Sequence, residues 1–185
     1  MSQRHLVTGA AGLIGFELVR QLLAEGDRVV AVDVGTKGGM ADLEALEQGS
    51  HGRLQRLVAD LAVKPDLPVG PYDCVFHLAA IVGVQYVSEH PYETLAVNLR
   101  STLNVLDHAA RNSCGTFLFA SSSENYAFGI ERGYVPLPTP EEVMLGISDI
   151  AEPRWSYAAS KIAGEAAVFG AARLADRMSA LPATG

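Results

Sequence analysis

The sequence predicts an α/β fold: a doubly wound parallel sheet with helices on both faces. Three observations predict it. Short runs rich in β-branched and aromatic residues alternate with helix-like segments along 185 residues. These runs are apolar throughout, which suits strands covered on both faces. The first run passes directly into "TGAAGLIG", Thr8–Gly15, where three glycines open an amphipathic segment. Such alternation implies right-handed β-α-β crossovers.

The elements follow in order. Strands are expected at "HLVT" from His5, "RVVAVD" ending at Asp33, "RLVAD" ending at Asp60, "CVFHLAA" ending at Ala80 and "TFLFASS" ending at Ser122. Helices are expected over Leu13–Glu25, Pro91–Asn112 and Ser156–Met178, with a weaker one over Met40–Gln48. Pro91 suits the first turn of its helix, where a missing N–H costs nothing. Tyr126–Trp155 reads as one long irregular segment, and loops of that length either bind something or are disordered. Length and composition fit one domain over residues 1–185, with 49% hydrophobic and 19% charged residues.

Charge and composition exclude several classes. A net charge of −7 argues against nucleic acid as a partner, because a phosphate backbone needs a basic face. No apolar run reaches membrane-spanning length and no leader is evident, so the expectation is a cytoplasmic protein without membrane contact. The two cysteines, Cys74 and Cys114, lie beside apolar runs and read as buried thiols rather than a disulfide. The five histidines show no metal-ligand spacing, and no metal is expected. Glu141–Glu142 read as a solvated loop or helix start.

The glycines carry the first functional signal. A tight strand-to-helix turn needs residues without Cβ, and the helix that follows presents unpaired N–H groups to an anion. Gly9 would make the turn, Gly12 would admit a pyrophosphate, and Gly15 would let the helix lie against the sheet. Glycines alone could serve turn geometry only. Here they follow a strand, open a helix and precede a second strand ending in Asp33, the context of a Rossmann-like dinucleotide site. Asp33 can accept hydrogen bonds from ribose hydroxyls and would repel a 2′-phosphate, which favours NAD over NADP. Lys37 is an objection to that preference, and a turn or cap role is the alternative for Asp33.

"YAASK" places Tyr157 and Lys161 one helical turn apart. A free phenol titrates near ~10, and a neighbouring ammonium with a positive nicotinamide would favour the phenolate. Taken alone, this pair reads as a solvated helix face. With the glycine turn and "SSS", Ser121–Ser123, at a strand end, it reads as a catalytic set.

These residues resemble the extended short-chain dehydrogenases/reductases, in their NAD-dependent epimerase/dehydratase branch. The match rests on Thr8–Gly15, Asp33, Asp60–Leu61, "HLAA" (His77–Ala80), Asn98, "SSS" and "YAASK", in family order across nearly the whole chain. The resemblance implies that Gly9, Ala11, Gly12, Leu13, Ile14 and Gly15 cradle NAD. Asp60 and Leu61 border the adenine, and Leu78, Ala79 and Ala80 line the cofactor cleft. Asn98 steadies the active site, or is simply a satisfied helix amide. Ser121, Tyr157 and Lys161 also meet the cofactor. By alignment with the family's aromatic at Tyr126, Ser122 is the catalytic hydroxyl. "SSSENY" is similar to the segments of UDP-glucuronate decarboxylases and GDP-mannose 4,6-dehydratases, where a glutamate at the Glu124 position can act at the sugar ring. Ala127 replaces a glycine of that pattern, and Asn125 fills an apolar slot, so a structural role for Glu124 stays open.

The implied chemistry is oxidation of a sugar C4 hydroxyl on a nucleoside-diphosphate sugar. Tyr157 is the base, Ser122 holds the oxygen and Lys161 supports the phenolate. Epimerisation, loss of water or loss of CO₂ then follows. Family members continue past the point where this chain stops, at Leu181–Gly185, where a sixth strand is expected. The chain therefore reads as a fragment or a naturally short protein, and the alternative function is NAD binding without turnover. Strand 116–120 would be left as an apolar edge. "LPATG" also matches a sortase signal, but no membrane segment or basic tail follows it. Leu95, Leu99, Leu103 and Leu106, with the alanines of 156–178, suggest a homodimer through helices 91–112 and 156–178.

Overall fold

The computed structural model describes residues 2–179 apart from Lys37 and Lys64. Lys37, the objection raised against an NAD preference, and Leu181–Gly185, where a sixth strand is expected, lie outside the described residues. The strands are Arg4–Thr8 (β1), Arg28–Asp33 (β2), Leu54–Val58 (β3), Tyr72–His77 (β4) and Cys114–Phe119 (β5). The helices are Leu13–Ala24 (α1), Met40–Gly49 (α2), Val84–Glu89 (α3), Pro91–Arg111 (α4), Ala127–Glu131 (α5) and Trp155–Ser179 (α6), with a 3-10 turn at Ser123–Tyr126.

The strands form one sheet in the order β3-β2-β1-β4-β5, with every neighbouring pair parallel. β1 lies in the middle, and Leu6 pairs with Val30 on one side and Val75 on the other. The order reverses between β1 and β4, and ligands of such sheets bind at the carboxyl ends of strands flanking that reversal.

Alternation along the strands divides the core in two. Leu6, Val30, Val32 and Val75 pack with Val105 and Ala109 of α4. Val7, Val29 and Ala31 pack with Val19 and Leu22 of α1 and Leu43 of α2. Each such fully buried aliphatic side chain contributes about 1.5–3 kcal/mol relative to exposure. α6 lies along α4, beside β5.

The structure amends several expectations. α3 and α5 are unanticipated: each is too short to show helical periodicity in sequence, with six and five residues. The segment from Tyr126 therefore begins with a helical turn, and its irregular part runs from Arg132 to Arg154. It is pinned where the N–H groups of Tyr134 and Val135 donate to the Gly129 carbonyl. Cys74 and Cys114 are free but half-buried rather than fully buried, because β5 lies at the sheet edge. Leu118 on that edge is 45% exposed. The leucine row of α4 is divided: Leu106 enters the core, Leu95 and Leu99 are half-buried, and Leu103 is exposed. Glu141 and Glu142 are exposed and non-helical.

Candidate active site

The turn between β1 and α1 is built from close backbone approaches. Gly9 has φ +68°, and a Cβ there would lie 2.8 Å from the Ala79 nitrogen at the end of β4. A Cβ on Gly15 would lie 2.2 Å from the Gly9 carbonyl oxygen, so Gly15 lets the helix close onto the turn itself rather than onto the sheet. Gly12 precedes α1 in extended conformation, and no side chain caps the helix or places an acid in its first turn. The first N–H groups of α1 are thus free of protein side chains, as a pyrophosphate requires. Leu13 and Ile14 point outward, 91% and 73% exposed.

Asp33 ends β2 beside this turn. Its carboxylate accepts the Ala11 N–H at 3.0 Å and the Gly35 N–H at 2.8 Å. It therefore serves the turn and also faces the cleft, and each oxygen keeps a lone pair for a ribose hydroxyl. Asp60 accepts the Ala62 N–H at 2.8 Å, and Leu61 beside it is buried.

A buried polar chain joins the glycine turn to α4. Thr8 Oγ1 accepts the Ala79 N–H at 3.2 Å and lies 2.8 Å from His77 Nδ1. His77 Nε2 lies 3.1 Å from Thr102 Oγ1, whose hydroxyl donates to the Asn98 carbonyl at 2.9 Å. Thr102 has one proton to give, so Nε2 is the protonated nitrogen and Thr8 donates to Nδ1. Burial, reinforced by the Lys161 charge, pushes His77 down to about 3 and keeps it neutral. Asn98 then clamps the β4–α3 loop. Its Oδ1 accepts the Ile81 N–H at 2.7 Å, and its Nδ2 donates to the Ile81 carbonyl at 3.1 Å and to Ser160 Oγ at 3.2 Å. The amide is more than satisfied within its helix: it ties α4 to α6.

The start of α6 carries the reactive groups. Lys161 is buried, donates to the Ala120 carbonyl at 2.7 Å and lies 4.8 Å from the Phe119 ring centroid and 5.7 Å from that of Tyr157. Burial lowers its pKa from 10.5 to about 8. Tyr157 is raised above 10.0, chiefly by burial; a hydrogen bond with Ser122 opposes that rise and the Glu124 charge adds to it. The expectation of a phenolate counts the nicotinamide's positive charge as well as Lys161, and it is the burial of the phenol that both must offset.

Ser121 and Ser122 differ in their partners. Ser122 acts on Tyr157, whose ionised form it favours, and caps the 3-10 turn by accepting the Glu124 N–H at 3.2 Å. Ser121 donates to Glu165 and accepts from Asn125 Nδ2 at 3.0 Å, and that amide also reaches Glu165 at 2.9 Å. Asn125, the polar residue in an expected apolar slot, thus has polar partners for its Nδ2, while its buried Oδ1 has none. Ala127 has φ −54°, ψ −46°, a conformation that needs no glycine. Glu165 was missed in the sequence, although it falls four residues after Lys161 on the same helix side.

Two cavities meet here. A cleft of about 500 Å³ runs along the carboxyl ends of the strands and is lined by every residue assigned above to the cofactor, from Gly9 to Lys161. Gly38, Val97 and Ser101 line it too, without having been foreseen. A smaller cavity of about 220 Å³ adjoins it, bounded by Val82, Gly83, Val84, Val87, Glu124, Arg154 and Tyr157. Tyr157 and Val82 face both. Among the described residues no cluster of side chains suits a metal ion.

The NAD dependent epimerase/dehydratase family matches residues 5–181. The chain belongs to this family. It is 34% identical over 170 residues to the UDP-N-acetyl-alpha-D-glucosaminuronate decarboxylase of Bacillus cytotoxicus, covering 92% of this chain and 50% of that one. It is 32% identical to the UDP-glucose 4-epimerase of Mycolicibacterium smegmatis, covering 88% and 49%. A UDP-galactose 4-epimerase crystal structure superposes with TM-score 0.72 at 31% identity, covering 92% of this chain and 52% of that one. The UDP-glucose 4-epimerase of Bifidobacterium longum, solved with NAD+ and UDP, gives TM-score 0.75 at 26% identity, covering 94% and 50%. The chain spans about half the length of the relatives it matches. The family's cofactor is NAD, and the uncapped α1 terminus, the Gly9–Gly15 cradle and the Asp33 carboxylate fit it. Among the described residues no helix is long and apolar enough to cross a membrane.

Proposed function

We propose that the chain is the NAD-binding and catalytic part of an enzyme that oxidises a hydroxyl on the sugar of a nucleoside-diphosphate sugar, then epimerises, dehydrates or decarboxylates it. One observation carries this reading: Tyr157 stands on the wall shared by the cofactor cleft and the smaller cavity that contains Glu124. NAD supplies the hydride acceptor. The Tyr157 oxygen, as phenolate, takes the proton of the sugar C4 hydroxyl and becomes the phenol, while Ser122 beside it orients the same hydroxyl. Lys161 is positioned by the Ala120 carbonyl and supplies a cation that favours the phenolate before that transfer. Glu124 faces the sugar side, where a carboxylate can remove a proton acidified by the new ketone.

Following reduced-nicotinamide absorbance with a panel of nucleotide sugars tests the proposal. Tyr157→Phe should abolish hydride transfer and leave NAD affinity unchanged within about twofold, because the glycine turn holds the cofactor. Absence of any reduction with every sugar tried, in a chain that binds NAD, would instead establish a binding module without turnover. The homodimer expectation rests on α4 and α6 lying side by side, with Leu103, Phe169 and Leu174 exposed at 44%, 67% and 59%. A stable monomer in light scattering at micromolar concentration would refute it.

A further inference from the structure

The smaller cavity holds a charge that the proposed chemistry does not use. Arg154 immediately precedes α6, and its guanidinium carbon lies 4.4 Å from the ring centroid of Trp155. Trp155 is 4% exposed, so the indole is a fixed platform. Cation–π stacking leaves the planar N–H fork free at its edges. Among the described residues no carboxylate lies within 4.0 Å of that guanidinium.

Glu124 borders the same cavity, yet the two charges do not pair. Glu124 instead acts on Tyr157, whose pKa it helps raise. Valines form most of the remaining wall, and Val87 is buried. The cavity therefore presents a hydroxyl-acting phenol, an acid, an apolar wall and one oriented guanidinium that no carboxylate neutralises. At about 220 Å³ it has room for one monosaccharide unit, not for a nucleoside diphosphate. A planar fork held in place is suited to a planar oxyanion, which it can bind through two parallel hydrogen bonds.

We propose that Arg154 receives a carboxylate carried by the sugar, so that the substrate is a nucleoside-diphosphate uronic acid rather than a neutral hexose. This rests on the nucleotide-sugar reading above. It narrows that reading to acidic sugars and makes Arg154 a specificity-determining residue. Arg154 lies outside the cofactor cleft, so NAD binding is independent of it.

Trp155 is the one tryptophan of the chain and lies under the guanidinium, so its fluorescence reports on this cavity. The NAD-loaded chain is titrated with UDP-glucuronate and with UDP-glucose. The expected result is tighter binding of the uronate by roughly ten- to hundredfold, the range of a charge-assisted pair. Arg154→Gln should erase that preference and leave UDP-glucose affinity and NAD affinity unchanged. Arg154→Lys, which keeps the charge and loses the fork, should recover only part of it. Equal affinity for the two ligands in the unaltered chain overturns the proposal. Equal weakening of both by Arg154→Gln also overturns it, since the guanidinium would then serve the diphosphate. Binding of neither sugar nucleotide, with NAD bound normally, defeats the nucleotide-sugar reading itself and this inference with it.

Discussion

Replacing Lys161 by Met should make the protein more stable at neutral pH while removing the proposed hydride transfer. The Lys161 ammonium is buried, and its pKa falls from 10.5 to about 8. That displacement corresponds to a penalty of about 3 kcal/mol for holding the charged form in the fold. The folded state binds fewer protons than the unfolded state between those two values. Stability therefore rises with pH from about 8 to about 10.5, and the penalty is present in full below about 8. Met matches the stem and carries no charge. It forfeits the 2.7 Å charge-assisted bond to the Ala120 carbonyl, about 1.5 kcal/mol at the least, and the stacking over Phe119, about 0.5–1 kcal/mol. The net gain is at most about 1 kcal/mol at pH 7, a rise in Tm of about 2–4 °C for a domain of this size. Urea unfolding of both proteins at pH 7 and pH 10 measures it. The gain should shrink at pH 10, where the unaltered chain loses its charge. A variant less stable than the parent at pH 7, or a gain that does not change with pH, would refute the assignment of Lys161 as a buried, functionally retained charge.

Three further outcomes follow from the same geometry. Asp33→Asn removes the charge and leaves one acceptor oxygen for the two N–H groups of Ala11 and Gly35, so calorimetry should show NADP+ affinity rising relative to NAD+, with some loss of stability at the turn; tighter NADP+ binding by the unaltered chain would contradict the role given to Asp33. Glu124→Gln removes a charge that raises Tyr157, so the pH profile of hydride transfer should move to lower pH, and an unmoved profile would show that Glu124 does not face the phenol. Gly15→Ala would place a methyl 2.2 Å from a backbone oxygen, so Tm should fall and NAD affinity drop at least about tenfold, and normal binding would show that the turn can give way.

Much of this protein was legible in the residues themselves. The five strands, the three long helices and the sheet class follow from local signals: unbroken apolar runs, helical periodicity, and glycines at a strand-to-helix turn. The candidate cofactor residues could be picked out for the same reason, since the glycines, Asp33 and the Tyr157–Lys161 pair each sit at a fixed place within one element. Tertiary structure decided what depends on distant residues meeting. Asn125, read from sequence as a departure, donates through its Nδ2 to Ser121 and to Glu165, forty residues away. Spacing places Lys161 one turn from Tyr157, but only the fold shows that both are buried, which raises the phenol and lowers the ammonium. Neither the tautomer of His77 nor the meeting of Arg154, Glu124 and Tyr157 around one cavity can be read from spacing along the chain. Periodicity reports which face of an element is buried; desolvation and polar pairing depend on what the fold brings against that face.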